Sequence, residues 1–172
     1  YGDIWRTGAN SNTKITVSDH VMFGENILPA GTYSILTRPG KIMWEVFFYT
    51  EDWSLPKAWD PKKIALKLDI PVKNANQIET FSIWIGDIST DSASLNLAWE
   101  NSRIEMPFTV STDEKTMASI KETMKGNPGH RDYYSAASYY LTTGRDLKKA
   151  EMWIIKAVKE KEYYFYLSLI HI

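Results

Sequence analysis

The sequence has no cysteine, only three histidines and almost no net charge, and each shortage removes a class of function. Without cysteine there is no disulfide, no thiolate metal ligand and no thiol nucleophile, while the redox compartment stays open. His20, His130 and His171 stand far apart and in none of the short spacings that mark a metal site, so no metal is expected. With Lys+Arg at 20 and Asp+Glu at 21, the chain has no field to gather nucleic acid or to hold an anionic membrane. No apolar run approaches the roughly 18 residues that would span a bilayer. There is no nucleophile elbow, phosphate loop or dinucleotide fingerprint, and Gly126-Asn127-Pro128-Gly129 reads as a turn, so no cofactor is implied. The first residue is Tyr1 rather than methionine. The chain is therefore expected to begin inside a longer precursor, and the absence of a leader carries no information.

What is present is the composition of an ordinary folded protein: 44% hydrophobic, 24% charged and 13% aromatic over 172 residues. That length suits one sizeable domain, or a domain of about 110 residues with an appendage. From Asn12 to Val110 short segments alternate apolar and polar residues between turn signals. Lys14 to Ser18 and His20 to Phe23 read as strands before a turn at Gly24-Glu25-Asn26. Thr32 to Arg38 and Ile42 to Thr50 form a hairpin about Pro39-Gly40. Ile64, Leu66, Leu68 and Ile70 mark one core-facing side of a strand that Pro71 ends. Three more such patterns follow: Phe81, Ile83 and Ile85; Leu95, Leu97 and Trp99; Ile104, Met106, Phe108 and Val110. About eight strands in this span predict an antiparallel, jelly-roll-like β-sandwich over residues 1–110.

Beyond Val110 the period changes, predicting a helical appendage over residues 111–172. Ser111 to Glu114 offer capping oxygens and negative charge for a helix that ends at Gly126. Ala136 and Ala137, beside Tyr133, Tyr140 and Leu141, suit a close helix pair. Its second member carries a stripe of Ala150, Trp153, Ile154, Ala157 and Val158, with Asp146 placed to cap it. The tail KEYYFYLSLIHI begins a further helix on the same reading.

The stretches WRTGANSNTKITVSD and LPAGTYSILTRPGKIMWEVFF resemble the bacterial family catalogued as domain of unknown function 2911. The resemblance covers most of residues 1 to 110; in that family a glutamate often follows the asparagine, where this chain has Ser11. It implies an exported, extracytoplasmic protein of Bacteroidetes-type bacteria, located in the periplasm or cell envelope, with an N-terminal strand or two preceding Tyr1. It brings no activity with it. Separately, LTTGRDLKKAEMWIIKAVKEK resembles the middle of a tetratricopeptide repeat at about 130–160, with Gly144 at the turn and Ala150 and Ala157 seven apart. The glycine-to-alanine spacing is one residue longer than usual.

Two segments carry candidate binding residues. In WRTGAN, Trp5 offers a flat apolar face, Arg6 a fork for a carboxylate, Asn10 an amide, and Gly8 room for close backbone approach. The same parts also make a structural corner, with Arg6 pairing Asp19 or Asp60. The loop TEDWSLPKAWDPKK carries Trp53, Trp59 and Asp60, a set that can stack on a sugar and accept its hydroxyls, or whose rings can plug one end of the sandwich. Glu45, Glu51, Asp52 and Asp60 supply the acids that a glycan hydrolase would need. Three functions stand side by side: a non-catalytic module binding carbohydrate, a small carboxylate or a protein; a hydrolase at these two segments; and a scaffold recruiting a protein through a helical face near Trp153 or Tyr163 to Ile170.

Overall fold

The computed structural model describes residues 1–52, 59–161 and 163–168. The chain divides into two compact units, Tyr1–Thr112 and Asp113–Ile172. The first is an antiparallel β-sandwich. Its elements are β1 (Thr13–Val17), β2 (Val21–Phe23), β3 (Asn26–Leu28), β4 (Gly31–Arg38), β5 (Met43–Tyr49), β6 (Ile64–Pro71), β7 (Lys73–Gly86) and β8 (Ser92–Val110). One sheet runs β1-β4-β5-β6 and the other β3-β2-β8-β7. The sandwich closes on Ile35, Trp44, Val46, Phe48, Leu97 and Ile104 from the facing sides.

The hairpin between β4 and β5 pairs Arg38 with Glu45. Gly40 sits at its tip because a Cβ there would lie 2.4 Å from the Met43 carbonyl oxygen, closer than any side chain tolerates. The Gly24-Glu25 turn forms as expected, and it returns the chain into β3, a short strand that alternation had not marked. β8 is a single extended element of 19 residues, which unbroken would reach about 60 Å. It instead doubles back: the Val110 N–H donates to the Asp91 carbonyl at 2.8 Å, and Arg103 Nη2 donates to Asn96 Oδ1 at 2.8 Å. The reversal lies at Glu100, whose φ is 51°. The two strands expected at 95–99 and 104–110 are the arms of this element.

Alternation also misassigned one side chain on β6. A register shift between Phe48 and Tyr49 turns Ile64 away from the core, onto an outer cluster with Leu36, Phe47, Tyr49, Ile4 and Trp59. An extra residue in a strand of period two sends the next side chain to the opposite face.

The second unit is helical: α1 (Thr112–Lys125), α2 (His130–Thr142), α3 (Leu147–Glu160) and the short α4 (Tyr164–Leu167). Asp146 caps α3 by accepting from the Lys149 N–H at 3.1 Å. Ala136, Ala137 and Tyr140 of α2 pack with Ala150, Trp153, Ile154 and Ala157 of α3, and Tyr166 of α4 completes this core. Trp153 is thus core rather than part of an uncovered patch. Just before α1, the Ser111 hydroxyl donates to Asp19 Oδ2 at 3.3 Å. Asp113 anchors the start of α1, accepting from Tyr139 Oη at 2.7 Å and from the Arg145 guanidinium. Among the described residues no helix is long and apolar enough to cross a membrane.

Candidate functional site

The WRTGAN segment runs beside the end of β4, on the side of that strand where β1 pairs. Trp5 continues the row begun by β1: its N–H donates to the Thr37 carbonyl at 2.7 Å, and the Thr37 N–H returns to the Trp5 carbonyl at 2.9 Å. The chain then makes a tight excursion before β1. Thr13 closes it, with its N–H on the Arg6 carbonyl at 3.3 Å and its hydroxyl on the Thr7 carbonyl at 2.6 Å. Trp5 Nε1 donates across the loop to the Gly8 carbonyl at 3.2 Å. A Cβ on Gly8 would stand 3.1 Å from both the Ser11 carbonyl and the Thr13 hydroxyl, so a larger residue crowds the loop.

Thr7 is the strained point of this corner. It is fully buried and holds φ at 55°, a left-handed conformation that a β-branched residue adopts at a cost of about 1–3 kcal/mol. Its hydroxyl meets Thr37 Oγ1 at 3.2 Å, which satisfies the buried oxygen pair. The corner reading therefore accounts for Trp5, Thr7 and Gly8.

It does not account for Arg6 or Asn10. Arg6 is half-buried and has no ion-pair or side-chain hydrogen-bond partner among the described residues. Asp19 holds His20 and Ser111, and Asp60 accepts from the Lys62 N–H at 3.0 Å, so neither expected partner is paired with it. Asn10 is exposed. Beside them, Trp5 stacks on Trp99 with ring centres 5.7 Å apart and meets Phe81 edge-on at 4.7 Å. Trp99 remains 45% exposed, so this aromatic cluster presents a face to solvent. The sequence reading missed Trp99 and Phe81 as part of the site because alternation placed both on the core face. Their meeting with Trp5 depends on contacts between residues far apart in sequence.

The tryptophan loop goes elsewhere. Trp59 stacks on Tyr49 at 5.1 Å and meets Phe47 edge-on at 5.2 Å, covering the outer face of the first sheet rather than plugging an end. Asp60 stands next to it, its N–H directed to Tyr49 Oη at 3.4 Å. Trp53 lies outside the described residues. Trp5 packs toward the second sheet while Trp59 lies on the far side of the first, so the two segments form separate surfaces.

The carboxylates of the hydrolase reading are engaged. Glu45 bridges Arg38 and Lys67, and Lys67 above all holds its carboxyl below the usual glutamate range. Lys63 pairs with Glu51, which raises the lysine in turn. Lys14 and Ser34 reach Asp52 at 2.9 Å and 3.2 Å. His20 meets Asp19, and His130 Nδ1 meets Tyr166 Oη at 2.8 Å; His171 lies outside the described residues. Among the described residues no three His, Asp or Glu side chains converge as a metal site.

Fold and edge together define a two-sheet antiparallel sandwich with a strained loop and a solvent-facing aromatic cluster at one edge. The chain belongs to the family described as Protein of unknown function (DUF2911), whose model matches residues 1–108. The match falls within the β-unit. Searches of curated proteins and of solved structures returned no match.

Proposed function

We propose that this protein is a non-catalytic binding module whose β-sandwich takes a small carboxylate-bearing ligand at the Trp5–Arg6 edge. The observation that carries this reading is the half-buried Arg6, which has no partner among the described residues. A guanidinium stays charged at any physiological pH, and a planar anion matches its fork with two parallel hydrogen bonds. Trp99 and Trp5 beside it offer an apolar face to the rest of such a ligand. Strain at Thr7 adds support, since strained backbone concentrates at binding sites. Export to the cell envelope belongs to the same reading and rests on the family resemblance alone.

The hydrolase alternative gains no support, because an acid catalyst needs a carboxyl held protonated near neutral pH and Glu45 is pulled the other way. A protein-recruiting role keeps one specific observation: Met152 and Ile155, three apart on α3, are both exposed. Within that role α2 and α3 are a tetratricopeptide-like hairpin.

A thermal-shift comparison of wild type and Arg6→Ala against acetate, succinate, benzoate, glucose and divalent metals tests the main reading. The expected result is that one of the carboxylates raises the melting temperature of wild type and leaves Arg6→Ala unmoved. Equal shifts in both proteins, or none, would sink it.

A further inference from the structure

Asn96 is fully buried, yet it lies between Leu95 and Leu97, whose side chains enter the core, so it occupies the outer face of the second sheet. What covers it is a polar assembly. Asn96 Nδ2 donates to the hydroxyl and carbonyl of Ser94 at 2.8 Å and 3.1 Å, and the Ser94 hydroxyl passes on to Asp87 Oδ2 at 2.6 Å. On its other side, Asn96 Oδ1 accepts from Arg103 Nε and Nη2 at 3.3 Å and 2.8 Å. Arg103 Nη2 also reaches Glu105 Oε2 at 3.3 Å, which Lys73 Nζ holds at 3.0 Å. The Arg103 guanidinium lies over the Trp84 ring, 5.2 Å from its centre.

The assembly leaves chosen atoms free in fixed positions. Arg103 Nη1, Glu105 Oε1 and Asp87 Oδ1 make no hydrogen bond among the described residues, and neither does Trp84 Nε1. Their side chains are held by neighbours, so a ligand meets donors and acceptors whose ordering cost is already met. Asp87 holds φ at 50°, in the left-handed region that aspartate adopts more readily than most residues. Beside it runs a surface groove of about 340 Å³, whose walls include Asp87, Ser92, Ser94 and Glu105 over Met22 and Pro107.

We infer that this outer face, through Asp87, Arg103, Glu105 and Trp84, binds a neutral polyhydroxylated ligand of the oligosaccharide class. Two anions and two cations, Asp87 and Glu105 against Arg103 and Lys73, cancel locally, which disfavours a charged ligand. Fixed donors and acceptors side by side suit hydroxyls, which do both. The apolar groove floor of Met22 and Pro107 suits the C–H faces of a sugar, and the Trp84 indole N–H suits a hydroxyl.

The test is a proton–nitrogen NMR titration of the full chain with cellohexaose, with maltohexaose and with acetate as control. The expected result is saturable shifts from one hexaose at residues of β7 and β8 around 84 to 105. Binding should be roughly tenfold weaker in Asp87→Asn or Glu105→Gln, and unchanged in Arg6→Ala. The proposal is overturned if neither hexaose gives saturable shifts, if the shifts fall elsewhere, or if a folded Asp87→Asn and Glu105→Gln bind as wild type does. The location of the wild-type shifts decides the matter even where a variant fails to fold. Acetate shifts at the Arg6 edge would report on the carboxylate site separately.

Discussion

The β-unit and the helical unit bury different materials. Between the sheets lie Trp44, Phe48, Leu97 and Met106, long side chains that bridge the space of about 10 Å between packed sheets. Between α2 and α3 lie four alanines, Ala136, Ala137, Ala150 and Ala157, with Tyr140 and Trp153 at their margins. Small residues let two helices approach closely, so their stability depends on the absence of bulk where the sandwich depends on its presence. The two units should fail in opposite directions.

The largest effect is expected from removing bulk in the sandwich. Phe48→Ala should cost about 3–5 kcal/mol in urea unfolding followed by tryptophan fluorescence. A loss below that of a typical surface substitution would mean the core repacks around the gap. Next comes added bulk between the helices: Ala157→Leu should cost about 1–3 kcal/mol, read by circular dichroism at the helical minimum. A neutral result would mean the α2–α3 pairing is looser than its alanine seam indicates.

Each unit also holds one carboxylate below its ordinary range, Glu45 chiefly through Lys67 and Asp113 chiefly through Tyr139 and then Arg145. In both cases the unfolded chain takes up its proton at a higher pH than the folded one. The stabilisation is therefore present at neutral pH and is lost as pH falls through the folded pKa, below the usual carboxylate range. Melting curves from pH 7 to about pH 3 should show this loss. Glu45→Gln should flatten the acid dependence of the sandwich alone, and Asp113→Asn that of the helices. The smallest effect is expected at Arg6: without ligand, Arg6→Ala should change stability by no more than about 0.5 kcal/mol, since no partner is lost. A drop of several degrees in melting temperature would return Arg6 to the structural corner.

Much of the architecture was legible because its causes are local. Alternating side chains marked β4, β5 and β6, and the stripe from Ala150 to Val158 with its Asp146 cap marked α3. The errors arose where pairing overrode local pattern. The bulge beside Tyr49 turned Ile64 outward, and the reversal of β8 at Glu100 left the neighbouring Trp99 45% exposed despite its core-facing place in the alternation. Of the candidate site, Trp5, Arg6 and Asn10 were legible as residue types, but their division into a corner and unpaired groups was not. Trp59 and Asp60 proved to lie on another surface.

Spacing and composition alone established a two-sheet sandwich followed by helices, because side-chain period is a property of a few consecutive residues. Which polar groups are satisfied and which are left to meet a ligand was decided only in three dimensions. Asn96 and Arg103 are seven positions apart and Trp5 and Trp99 ninety-four, and only the folded backbone, which brings distant residues within hydrogen-bond or stacking distance, determines such partnerships.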